Sequence, residues 1–155
     1  MLCSARIYVV RARPAWCSGY TVAEFFSTGL LLGPLFVMAM NVRAPWLPWA
    51  AAAGGAAQLI TQMLKLLWLS RSEQFELRAS SLLLSGRFRR AFLSRLGLLI
   101  ASGIVAPLAA SGQPAAVAAL VVALAGEWLG RWLFFVSVVP KNIAAAFTTS
   151  GRRAA

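Results

Sequence analysis

The chain has 155 residues, 60% of them apolar and 12% charged, where a soluble domain carries about 25% charge. Four membrane-crossing helices of about 20 residues each fit this length, whereas a second large soluble domain does not. Fifteen Lys and Arg stand against four acids, all Glu, for a net charge of +11. The chain has no Asp and no His, which removes Ser-His-Asp catalysis, His-ligated zinc and bis-His haem. The Arg residues lie in loops between long apolar runs, which suits anionic headgroups and acidic partner surfaces better than nucleic acid. Cys3 and Cys17 lie outside those runs and match neither a CxxC pair nor a four-Cys cluster, so this chain is expected to hold no metal.

Residues 1–21 read as a basic N-terminal loop or interfacial segment, because Arg6, Arg11 and Arg13 interrupt it before the apolar core of a signal peptide develops. The apolar pattern then predicts four spans, at about 22–40, 46–69, 93–110 and 114–139, followed by a basic tail over 140–155. Trp46, Trp49 and Trp68 flank the second span, where indoles favour the headgroup boundary. The expected fold is an all-α membrane bundle. The short connections 41–45 and 111–113 pair the spans into two helical hairpins. Between the hairpins, 73–84 contains Phe75, Leu77, Leu82, Leu83 and Leu84, which allow a short amphipathic helix at the membrane surface.

Twelve Lys and Arg, including Arg71, Arg78, Arg87, Arg89, Arg90 and Arg95, fall on one face of this topology; Arg43 alone falls on the other, and Lys65 and Arg131 lie within spans. The positive-inside rule places both termini in the cytoplasm. Arg6, Arg11, Arg13, Arg87, Arg89 and Arg90 are also candidates for docking an acidic partner.

Inside the spans, Glu127 and Arg131 stand four residues apart on one helix face and can pair. An unpaired Glu or Arg at this depth costs about 2.5 to 3.5 kcal/mol, so they serve either as a proton path or a quinone-head contact, or as a buried ion pair that fixes helix packing. Gln58, Thr61, Gln62 and Lys65 make a polar stripe on span two. It lines a hydrated cavity or meets Glu24 or Glu127; interhelical hydrogen bonds are the favoured role for Gln58 and Gln62, and snorkelling for Lys65. Glu24 reads more readily as a helix cap than as an intramembrane acid. The pairs Gly29/Gly33 and Gly126/Gly130 have the four-residue spacing of close helix packing.

Ser4 to Trp16, SARIYVVRARPAW, Thr21 to Pro34, TVAEFFSTGLLLGP, and Glu127 to Phe135, EWLGRWLFF, followed by Pro140-Lys141-Asn142, resemble in order the membrane-anchor subunits of dimethyl sulfoxide reductase-like complexes. The likeness implies a non-catalytic anchor in the bacterial cytoplasmic membrane. Such an anchor holds a molybdenum-cofactor catalytic subunit and an iron-sulfur subunit, and passes electrons from menaquinol to the clusters in anaerobic respiration. It binds no cofactor of its own. Family anchors have twice as many spans, and this sequence is similar to their second half, so the missing N-terminal half is a further implied partner. Glu127 and Arg131 are the matched residues that the resemblance offers as quinol or proton-path candidates. The alternative is a small four-helix proton-coupled transporter using Glu24 or Glu127.

Overall fold

A computed structural model describes residues 15–109 and 112–139. They form five helices and, among the described residues, no strand: α1 (Gly19–Ala39), α2 (Leu47–Arg71), α3 (Phe75–Ser85), α4 (Arg89–Ala109) and α5 (Gln113–Val136). Helices α1, α4 and α5 are long and apolar enough to cross a membrane. Helix α2 matches them in length, but Gln58, Thr61, Gln62 and Lys65 lower its hydropathy.

The boundaries shift from the apolar runs for local reasons. Helix α1 starts at Gly19, inside the expected loop, behind Ser18 in extended conformation. Helix α4 begins at Arg89 rather than near residue 93, so Arg95, expected at the very start of the span and counted with the basic face, lies more than one turn into the helix. Helix α5 stops at Val136, three residues short of the expected end. Residues 1–14, 110–111 and 140–155, with Arg6, Arg11, Arg13 and the basic tail, lie outside the described residues.

Helices α1 and α2 form one hairpin, turned at Asn41 with φ 63°, a conformation Asn tolerates better than most residues. Helix α1 packs on α2 and α5, α4 packs on α5 and α2, and α3 lies against α2 and α4. The backbones of α1 and α2 approach closely at Gly54, where a Cβ would lie 2.6 Å from the backbone of Leu30 and Leu31. Pro34 has no N–H to give the Leu30 carbonyl, the same stretch of α1 against which Gly54 packs. Gly55 in turn faces Gly103 on α4, where an added Cβ would meet backbone at 3.0 Å.

Gly103 sits in a π-helical turn, Ala101–Val105. Pro107 follows within one turn and cannot donate to the carbonyl four residues earlier, which accounts for the local widening. Of the glycines expected to pack, Gly126 meets Leu98 and Gly130 meets Arg95, but Gly33 is exposed with open space around it. The close-packing glycines of the first hairpin are on α2.

The apolar core comprises Leu31, Leu35, Ala51, Leu99, Ala119 and Ala123. All lie toward the end where α1 finishes and α5 starts. At the opposite end, the basic end, α1 begins, α5 finishes, and Arg71, Arg78, Arg87, Arg89 and Arg90 are exposed. Leu77 of α3 is buried there with Leu69 and Ala15, while Phe75 and Leu82 are exposed, as expected of an amphipathic surface helix.

Candidate functional site in the bundle interior

Between the apolar core and the basic end, the helices turn polar side chains inward. Helix α1 contributes Thr21, Glu24 and Thr28, three and four residues apart on one face. Helix α2 contributes Gln58, Gln62 and Lys65, α4 contributes Arg95, and α5 contributes Glu127.

Glu127 is 7% exposed. Thr28 Oγ1 lies 2.9 Å from its Oε2, and Gln58 donates from Nε2 to its Oε1. The same Gln58 amide donates to Thr28 Oγ1 at 3.4 Å, so three helices meet at one carboxyl. Thr28 Oγ1 is also 2.8 Å from the backbone oxygen of Glu24. A hydroxyl has one proton, and Thr28 can give it to Glu127 or to the Glu24 carbonyl. In the second case a proton on Glu127 completes the contact. The cluster therefore accommodates both protonation states of Glu127 by rotating one hydroxyl.

One turn nearer the basic end, Lys65 Nζ lies 2.7 Å from Glu24 Oε2, with side chains 13% and 11% exposed. This corrects two expectations. Lys65 turns inward onto Glu24 rather than snorkelling, and Glu24 stands beyond the first helical turn, where it pairs with Lys65 rather than capping α1. The aliphatic stem of lysine reaches either way, and a carboxylate across the helix interface offers more than the boundary does. Lys65 Nζ also stands 5.1 Å from the centre of the Phe134 ring.

Arg131 does not pair with Glu127. Its guanidinium stacks 3.9 Å over the Phe25 ring, and Lys65–Glu24 is the only ion pair within 4.0 Å among the described residues. Both carboxylate oxygens of Glu127 already have donors from other helices. Arg95 takes the interior place instead: it is 8% exposed, within electrostatic range of Glu24, Glu127 and Arg131. A side chain at Gly130 would collide with its guanidinium. Gly130 is thus a socket for an arginine rather than a helix–helix contact. Glu24 and Glu127 thus stand near Lys65 and Arg95, with Arg131 close by on the flank, so most of the buried charge has an opposite charge within reach.

Gln58 makes the interhelical bonds expected of it; Gln62, 3% exposed, makes none through either amide atom. Thr61 returns its hydroxyl to its own helix at Ala57. Arg87, Arg89 and Arg90 are exposed on the basic end, where a partner or headgroups can reach them.

Sequence reasoning missed Thr21, Thr28 and Arg95. The 21, 24, 28 spacing was a usable signal for the threonines, whereas nothing in the spacing marks Arg95 as buried. Comparison of the chain with protein-family models, curated proteins and solved structures finds no match.

Proposed function

We propose that the chain is the C-terminal half of a membrane-anchor subunit of a dimethyl sulfoxide reductase-like complex, crossing the bacterial cytoplasmic membrane four times with both termini cytoplasmic. The resemblance of its N-terminal, first-helix and last-helix segments to such anchors supports this reading. The observation that carries it is the position of Glu127, within the EWLGR segment of that resemblance: a buried acid held by Thr28 and Gln58 in a site that accepts either protonation state.

In this reading the chain tethers a molybdenum-containing catalytic subunit and an iron-sulfur subunit through its basic end. Oxidation of menaquinol to menaquinone releases two electrons, which pass to a cluster on the iron-sulfur subunit, and two protons. Glu127 takes up one of these at a time and returns it to water. Arg131 and Phe25 flank the same helix pair, while Arg95 and Lys65 supply positive charge beside the two carboxyls.

The test has two stages. Purification of the chain from its own membranes in mild detergent, with mass spectrometry of everything that accompanies it, is expected to recover the two partner subunits. Recovery of a lone small oligomer that moves a solute with protons gives the result to the transporter reading. In the purified complex, Glu127→Gln is expected to cut quinol-dependent reductase activity by at least about tenfold, the low end of what positioned acid-base groups contribute, while assembly and dye-driven activity persist. Unchanged quinol-dependent activity in an assembled complex would refute the role of Glu127.

A further inference from the structure

Several polar atoms of the interior cluster are buried without a hydrogen-bond partner: Thr21 Oγ1, Gln58 Oε1, both amide atoms of Gln62, and Arg95 Nε. Leaving each such atom dry costs about 1 to 3 kcal/mol, and native interiors rarely tolerate several together. These atoms are not scattered. Gln62 stands four residues from Gln58 and three from Lys65 on one helix face, so it lies along α2 between the Glu127 cluster and the Glu24–Lys65 pair. The distance from Gln58 to Lys65 along α2 is about 10 Å.

At the outer end of this file is a cavity of about 40 Å³, lined by Glu24, Lys65, Arg95, Ser80 and Ser137 within an apolar rim that includes Leu69 and Phe134. One water needs about 10 to 15 Å³ and a few polar partners, and this cavity supplies both. Beyond Glu127 the lining changes at once. Leu31, Leu35, Leu99 and Ala123 are 0% exposed and close the interior toward the far end.

We propose that Glu127 exchanges protons with water from the basic end alone, through a short hydrated file along Glu24, Lys65, Arg95 and Gln62, and that the leucine layer seals it from the opposite side. The donors and acceptors left unpaired are those a chain of waters would join, and the proton moves by transfer from a hydronium at the basic end through those waters to the Glu127 carboxylate, or in reverse. The groups facing the file are Glu24 from α1, Lys65 from α2, Arg95 from α4 and Ser80 from α3, with Arg131 on the flank of α5. This keeps Glu127 as the proton-carrying acid of the function proposed above, yet it requires neither quinol nor a partner subunit, so the two stand or fall separately.

The test uses the full-length chain in sealed vesicles whose inner and outer pH are set independently. The probe is dicyclohexylcarbodiimide, which crosses the bilayer and modifies protonated carboxyls, with the adduct located by mass spectrometry. Cys17 is exposed beside the start of α1; with Cys3 replaced by Ser, an impermeant maleimide shows which bath the basic end faces. Raising the pH of that bath is expected to reduce Glu127 labelling severalfold, and raising the other is expected to leave it unchanged. Gln62→Leu should slow the response to the basic-end bath. Labelling that follows the opposite bath, follows both equally or never occurs overturns the proposal. Should Gln62→Leu fail to assemble, the two-bath comparison on the unaltered side chains decides alone.

Discussion

Toward the start of α1, the space between the helices is held by Glu24 with Lys65, Arg95 in its Gly130 socket, and Glu127 between Thr28 and Gln58. Toward the end of α1 the same space is filled by Leu31, Leu35, Leu99, Ala119 and Ala123, with α1 drawn onto α2 at Gly54. The difference shows two ways of joining helices in one bundle. The apolar half relies on backbone approach and dispersion, which need small residues and tolerate no added volume. The polar half relies on matched charges and directional bonds, which leave gaps that close packing would fill. Such a gap lies on the Glu24, Lys65 and Arg95 side, and it is this asymmetry that the proposed one-sided proton exchange of Glu127 rests on.

The comparison is broken most severely in the polar half by Glu24→Ala, which strands the Lys65 ammonium among buried groups. A loss of about 4 kcal/mol is expected, read as the midpoint of unfolding in a denaturing-detergent titration, and most of it should return in the Glu24→Ala/Lys65→Met double variant. Failure of the double variant to recover would show that the pair matters through packing rather than charge. In the apolar half, Gly54→Leu has no space against Leu30 and Leu31 and should cost about 3 kcal/mol by forcing α1 from α2; the same titration checks it. Thr28→Val removes one donor to Glu127 while keeping the shape, and should cost about 1 kcal/mol, a smaller effect confined to the polar half. Gly33→Leu is the least consequential: its site is open, and the midpoint should stay within about 0.5 kcal/mol of the parent.

The helices themselves were legible as apolar runs, because burial in lipid or in a bundle selects the same side chains over the same length. The α2 stripe was legible too, since 58, 62 and 65 share a face by spacing alone. The α1 stripe was half missed, because Thr21 lies at the foot of a helix whose start the run-length reading set too late. Arg95 stands at the edge of an apolar run, where a charge reads as part of the basic face, and only the presence of a glycine on a different helix makes an interior place for it. Gly33 follows Gly29 with the spacing of a packing motif, yet the space at Gly33 is open, because spacing reports which residues share a face and not which of them meets a neighbour.

From sequence alone it follows that the chain is helical, strongly basic and apolar enough to enter a membrane, and that it lacks the side chains for triad chemistry or histidine-ligated metal. These are properties of composition and period, fixed before any helix meets another. The tertiary structure decided the partners: Lys65 with Glu24, Glu127 with Thr28 and Gln58, Arg95 with the hollow at Gly130, and Arg131 with Phe25. Each of these pairings joins different helices, and their choice depends on crossing geometry and on what volume the neighbouring helix leaves free. The local pattern held Glu127 and Arg131 as a pair on one helix; the packed bundle separated them because better donors for the carboxylate came from across the interface.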